Sequence, residues 1–537
     1  GVAAVGVSGG RRAGPTYDPA VIGQPSARSS TGSATRWDPG VIVTRLPELD
    51  RLAPVEAAER LRGLSGLALL ESARPGRHAR WSFLTADPLA VVDAPAEGPD
   101  PFASARRALA RLVPAHLEPS QVADALLSEG DDGGGRSALP PFSGGLVGYL
   151  SYDLGRRFEA IPSIAAADQD LPLLRLALHD WVAAWDHRTG RAWLAGRAAD
   201  ERIDRLEARL AEVRSRLARA GASSPISSTM DGPGDARPED SRPLAGERAA
   251  ARSFELRSGL ARPAFEARVE AVRQAIARGE IYQANLTRRL EVAFGADPWR
   301  LYRRLRVGDP ALFAAYLDLG RSPATGAPRA IVSASPEPFL ALTSDGHVET
   351  NPIKGTRPRG VDRAEERTLA RELLASAKDR AENVMIVDVL RNDLGRVCLP
   401  GSVRVPRLCR LERTATVQHL VSTVTGRLRP GVDAFGLLAA TFPGGSITGA
   451  PKIRAMQIIE GLEPVRRGPY TGAAGWIGAD GALATSILIR TFVADGDRLS
   501  LHVGGGITWR SDPASEWLET VAKASGPLGA IDGHEVA

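Results

Sequence analysis

Only four of the chain's 68 basic residues are lysines: Lys354, Lys378, Lys452 and Lys523. Arginine has taken every other basic position. A guanidinium keeps its proton, whereas an enclosed amine can lose it and become a nucleophile. Lys354 lies in Glu349-Thr350-Asn351-Pro352-Ile353-Lys354-Gly355-Thr356-Arg357-Pro358-Arg359-Gly360. Pro352 and Pro358 stiffen that stretch, and Gly355 lets it turn. It reads as a loop delivered by strand-like text. The alternative is a surface lysine retained by chance.

Two carboxylate pairs have helical spacing: Asp379 with Glu382, and Glu516 with Glu519. Each pair falls on one helix face. Asp512 and Pro513 supply an N-cap and a first position for the second helix. Two such faces meeting would make an oxygen-only site suited to Mg²⁺, with waters and a substrate carboxylate completing the shell. Solvated helix charge is the alternative.

Anion sites are suggested by glycines at Phe442 to Lys452 and at Gly504-Gly505-Gly506. A helix start there offers free N–H groups. Neither stretch has the spacing of a Walker A or dinucleotide-binding loop. Arg490 ends an apolar run, as a paired residue or a carboxylate clamp. His419 stands alone between Gln418 and Leu420, and neither Cys398 nor Cys409 sits in a nucleophile elbow.

These residues need elements to hold them. Residues 1–40 are Gly/Ser/Pro/Arg-rich and read as a disordered leader, and residues 221–252 as a flexible linker. Between them, 41–220 forms an N-terminal region; 253–530 carries most of the chemistry. Strands are expected at 66–73, 81–88, 144–150 and 281–288, with a hairpin over 173–195. Ile203, Leu206, Leu210, Val213 and Leu217 predict an amphipathic helix. Helices are also expected over 263–277 and, unbroken, over 362–384.

Net charge is +5, with acids and bases nearly balanced. No basic block is interleaved with aromatics, which argues against nucleic acid. Two cysteines fit a reducing compartment. No apolar run is long enough to span a membrane. The first 15 residues lack the order of a signal peptide, so a cytoplasmic chain is expected.

Taken in order, several segments resemble the chorismate-utilising enzyme family. They are Ile281-Tyr282-Gln283-Ala284-Asn285-Leu286, Ser335-Pro336-Glu337, Pro352 to Gly360, Lys378-Asp379-Arg380-Ala381-Glu382-Asn383, Arg391 to Arg396, Gln418 to Ser422, Gly449-Ala450-Pro451-Lys452, Arg467 to Gly472, Ile489-Arg490-Thr491 and Gly504 to Ile507. The resemblance covers about the second half of the chain, and the first half more loosely. It implies an α/β (α+β) fold of two antiparallel β-sheets packed as a sandwich with helices outside, both halves contributing strands.

The resemblance also implies roles. Glu382 and Glu519 match Mg²⁺ ligands, with Asp379 and Glu516 supporting through water. Tyr470 and Arg490 match residues that hold substrate carboxylates. Gly355, Thr356, Ser446, Gly504, Gly506 and Lys523 match other substrate contacts. Glu337 matches an acid near the leaving hydroxyl, and His419 a polar residue beside the ring. Glu71 and Ser72, after Leu70, resemble the family's tryptophan-binding motif.

Two positions discriminate within the family. Members that add water to chorismate resemble one another in a lysine where this chain has Gln283. Anthranilate synthases usually read Pro-Ile-Ala-Gly-Thr, and tend to have His where this chain has Asn383. Lys354 at the alanine position resembles the aminodeoxychorismate synthases, whose lysine is thought to attack C2 of chorismate. The implied partners are chorismate and ammonia from a separate glutaminase (amidotransferase) subunit, since the chain has no glutaminase of its own.

Overall fold

The computed structural model describes residues 35–38, 40–74, 79–95, 98–112, 139–218, 254–414 and 417–536. The expected linker and most of the expected leader lie outside these residues. Thr35–Asp38, however, is a strand paired with Val41–Arg45, so the last part of the leader is ordered sheet edge.

Among the described residues there are two sheets, of fourteen and ten strands. They are antiparallel but for one parallel pairing, of Glu255–Ser258 with His534–Val536. Both halves of the chain build both sheets. Ala68–Glu71 pairs with Phe313–Arg321 in the larger sheet. Gly145–Leu150 pairs with Ala473–Gly478 in the smaller one. Between the sheets, Phe83, Phe142, Tyr149, Val182, Ile331 and Trp476 share one buried core. Strand alternation supplies it, since every second residue faces inward. Outside, Ile203–Ala218 lays Leu206, Leu210, Val213 and Leu217 onto the larger sheet.

The expected strands appear, with three instructive differences. The apolar run over 173–185 is two strands in different sheets: Leu174–His179 pairs with Gly145–Leu150, and Trp181–Asp186 with Arg191–Arg197. Apolar periodicity cannot show a chain crossing between layers, because both strands are buried and read as one continuous apolar run. Leu174, Leu176 and Leu178 nevertheless join a core that Trp181 to Trp185 do not share. The helix over 362–384 is also two, Arg363–Ala375 and Ala377–Gly395. Ser376 between them is extended, and its hydroxyl accepts from Asp379 N. Capping restarts the helix there. Finally, Lys354 lies on a strand, Ile353–Pro358, and Gly504 to Gly506 lie within the strand Arg498–Ile507.

Two crossings between the sheets matter for function. Pro328–Ser335 and Pro338–Leu342 belong to different sheets, so Pro336 and Glu337 bridge the layers. Leu483–Ile487 and Thr491–Asp495 do the same, with Arg490 between them at φ 50°. The crossings are tied together: Ala334 N donates to Arg490 O, and Ile487 N to Glu337 O.

Candidate active site

These crossings form part of the wall of a cavity of about 640 Å³. It is lined by every residue that the sequence offers for catalysis, substrate and metal: Lys354, Glu337 and His419; Gly355, Thr356, Ser446, Tyr470, Arg490, Gly504, Gly506 and Lys523; Asp379, Glu382, Glu516 and Glu519. Glu337, Ser446, Tyr470 and Glu516 are buried, whereas Arg490, Glu519 and Lys523 are exposed. The cavity therefore runs from a charged mouth to a buried floor.

Lys354 enters from the strand Ile353–Pro358, and its Nζ donates to Ser446 O at 3.2 Å. Burial lowers its proton affinity, while Glu337, Glu382 and Glu519 oppose that and Lys523 reinforces it. Burial raises Glu337, against the opposing field of Lys354 and a hydrogen bond from Ser446. The pair is pushed toward a neutral amine beside a protonated acid. Gly355 permits the approach. Its φ is +77°, and a Cβ there would lie 2.9 Å from Asp379 Cβ.

The carboxylates come from two helices. Ala377–Gly395 buries Asn383, Ile386, Val387, Leu390 and Leu394, a helical stripe. Asp379 and Glu382 continue that stripe past the packed region into the cavity. Arg357 holds Asp379 at 3.0 Å. In Pro513–Gly529, Glu516 lies on the buried line with Thr520 and Ala524. A Cβ built on Gly505 would meet Glu516 Oε2 at 3.2 Å and Glu519 Oε1 at 3.3 Å, so both acids converge over glycine backbone.

Burial raises Glu382, with Asp379 and Glu519 adding to it and Lys354 and Lys378 opposing. Burial and Glu519 raise Glu516. Burial would raise Glu519, but Lys523 at 2.7 Å, together with Lys378 and Lys354, lowers it on balance. Among the described residues, no three His, Cys, Asp or Glu side chains are grouped to hold a metal alone. An all-oxygen pair nevertheless fits Mg²⁺, which takes one or two carboxylates and fills its shell with water and substrate oxygens.

His419 Nδ1 and Thr356 Oγ1 are 2.9 Å apart. Burial, helped by Arg490, lowers His419 to about 4. It is neutral near pH 7. Arg490 pairs with Asp309 at 3.2 Å at the mouth. Tyr470 stacks on His502, with ring centroids 4.8 Å apart.

The cavity also contains residues that the sequence did not single out for it: Asn285, Thr287, Arg357, Lys378, Ile447 and His502. A signal for His502 existed. It precedes Gly504 by two, the period that keeps strand residues on one face. The pairing of Thr287 with Gly504 had no such signal, because register is a tertiary fact. Gln283 does not line the cavity. It is fully buried, and its Nε2 donates to Asn285 Oδ1 at 3.2 Å. Asn383 is likewise buried, held by Leu420 O and Ser422.

Glu71 and Ser72 line a separate cavity of about 140 Å³ between the sheets, with Trp81, Phe83 and Trp476. Glu71 Oε2 accepts from Tyr302 OH at 2.7 Å and Arg306 Nε at 2.8 Å.

The profile of the chorismate binding enzyme family matches residues 77–529. The chain belongs to that family. It is 39% identical to anthranilate synthase component 1 of Streptomyces coelicolor, over 91% of this chain and 88% of that one. It is also 39% identical to aminodeoxychorismate synthase component 1 of Salmonella typhimurium, over 72% of this chain and 76% of that one. Its fold matches the crystal structure of anthranilate synthase component I from Streptococcus pneumoniae with a TM-score of 0.67. That match has 28% identity and covers 84% of this chain and 92% of the other. This chain is thus a chorismate-utilising enzyme of mixed α/β fold, and its relatives include makers of both amino products. No helix among the described residues is long and apolar enough to cross a membrane.

Proposed function

We propose that the chain is an aminodeoxychorismate synthase component I, converting chorismate and ammonia to 4-amino-4-deoxychorismate and water. The observation that carries this reading is Lys354, an amine enclosed beside Glu337 with burial driving it toward its neutral form. A chain aminating at C2 has no use for a nucleophile there.

In the first step the free amine of Lys354 bonds to C2 of chorismate. Both ring double bonds shift, C1=C2 to C1=C6 and C5=C6 to C4=C5, the C4–O bond breaks, and Glu337 delivers a proton so that water leaves. In the second step ammonia bonds to C4, both double bonds shift back, and the C2–N bond to Lys354 breaks with its electron pair returning to the lysine nitrogen. Glu337 recovers a proton from the added nitrogen. One hard substitution becomes two easier ones. Arg490 and Tyr470 are assigned to the substrate carboxylates, with Thr356 and His419 beside the ring and Ser446, Gly504, Gly506 and Lys523 completing the pocket. Mg²⁺ held by Glu382 and Glu519, with Asp379 and Glu516 behind them, would neutralise the ring carboxylate. Closure must exclude water, the competing nucleophile.

Ammonia would come from a separate amidotransferase subunit, and the product would serve p-aminobenzoate formation, for folate or a p-aminobenzoate-derived metabolite, in the cytoplasm. The cavity at Glu71 and Ser72 is the proposed place for tryptophan. Anthranilate synthase component I is the second reading, favoured by the longer match to the Streptomyces coelicolor relative. Incubation with chorismate, Mg²⁺ and ammonium decides between them by product mass and fluorescence. Anthranilate as the product would overturn the proposal.

A further inference from the structure

Ser446 stands between Lys354 and Glu337. Its carbonyl oxygen accepts from Lys354 Nζ at 3.2 Å, and its hydroxyl donates to Glu337. The residue lies in a single 3-10 turn, Gly445–Ile447. The last carbonyls of a helix have no partner within it, so whatever else reaches them sets their direction. Here the other group is Asn285, whose Nδ2 donates to Ser446 O at 2.7 Å. Asn285 is 8% exposed. It lines the cavity, and no step of the proposed reaction uses it.

Asn285 is itself firmly held. Its backbone N donates to Thr448 O at 2.8 Å, and its backbone O accepts from Arg467 Nη2 at 2.8 Å. Its Oδ1 accepts from Gln283 Nε2 at 3.2 Å. A carbonyl can only accept, so the Asn285 amide must turn Nδ2 to Ser446 and Oδ1 to Gln283. The order of donation is therefore forced, from Gln283 to Asn285 to Ser446. Gly506, paired with Asn285 across the sheet, leaves room for both amides. A Cβ there would lie 2.6 Å from Gln283 Nε2 and 2.9 Å from Asn285 Oδ1.

We infer that Asn285 is a positioning residue for the nucleophile, holding the Ser446 carbonyl where it fixes one N–H of the Lys354 amine. The inference rests on the covalent reading above. A neutral amine carries two N–H bonds and one lone pair on a rotating tip. Bonding one N–H to a fixed acceptor keeps the lone pair off that direction and leaves it for the substrate. A carbonyl free to tilt would leave the tip free to rotate, and that freedom would be lost only on the way to the transition state.

The test follows the adduct alone. Enzyme is mixed with chorismate and Mg²⁺ without ammonia, and the Lys354 adduct is read by quenched flow and intact-protein mass over a range of chorismate concentrations. In Asn285→Ala the limiting rate of adduct formation should fall about 10- to 100-fold, with half-saturating chorismate unchanged. Buried partners left unbonded will also lower the unfolding temperature. The readout is therefore the split between limiting rate and half-saturation, which lost stability does not produce. Gln283→Met removes only the donor to Asn285 Oδ1 and lies outside the cavity. It should lower the same limiting rate by about fivefold, and it carries the test if Asn285→Ala does not fold. An unchanged limiting rate in either variant would overturn the inference. So would a rise in half-saturating chorismate that accounts for the loss, since Asn285 would then be a substrate contact. Failure of the covalent reading is separately visible: the unmodified chain would then show no adduct at Lys354, whatever its product.

Discussion

At the scale of single residues, the proposed chemistry rests on a lysine and an acid whose charges are both disfavoured. Their ordinary values lie near ~10.4 and ~4.3, so a free amine and a protonated carboxyl would hardly coexist in water. Burial lowers Lys354 and raises Glu337, which narrows that gap. The rate should fall on the acid side as Lys354 takes up a proton, and on the alkaline side as Glu337 loses one. Glu337→Gln removes the ionisation, so the alkaline limb of kcat/KM should flatten while the plateau drops by about 10²- to 10⁴-fold. A retained alkaline limb would assign it to another group. Lys354→Ala should reduce amination by on the order of 10³-fold or more. Lys354→Arg should do the same, since a guanidinium stays charged. Trapping with borohydride is no test, because no imine forms; intact-protein mass after mixing with chorismate would show the adduct directly.

At the scale of elements, the site depends on how closely a strand and a helix approach. Gly355 sits at positive φ against Asp379 and Leu373. Gly355→Ala adds a strained backbone and a methyl group with no space. It should cost about 1–3 kcal/mol of stability, read from urea unfolding. It should also lower kcat, because the displaced helix carries Asp379 and Glu382 as one rigid body. Unchanged kcat with lowered stability would mean that this approach serves packing alone. The helix break at Ser376 belongs here too. It allows Ala377–Gly395 to point its first turn at the cavity, which an unbroken helix over 362–384 could not do with Arg363–Ala375 packed where it is.

At the scale of the whole molecule, the two halves of the chain cannot be separated. Ala68–Glu71 and Gly145–Leu150 from the first half pair with strands of the second in different sheets. Each half alone would expose long unpaired strand edges. Residues 1–220 and 253–537 expressed separately should aggregate, and the intact chain should unfold in a single transition by fluorescence and by circular dichroism. Two separated transitions would show that the halves are domains after all.

Much of this was legible in the chain itself. The ordered motif series carried the family, and with it the residues that line the cavity, because side-chain type is what chemistry selects. Helical stripes such as Leu206 to Leu217 were readable because they depend on a local period. Local sequence could not say that Lys354 and Gly505 lie on strands, that Glu337 and Arg490 occupy crossings between layers, or that Thr287 stands opposite Gly504. Nor could it set the proton affinities of Lys354 and Glu337. Which sheet a strand joins, which register it takes and how deeply a charge is buried depend on partners hundreds of residues away. Only the packed molecule decides them, because burial and pairing are properties of contacts, not of neighbours along the chain.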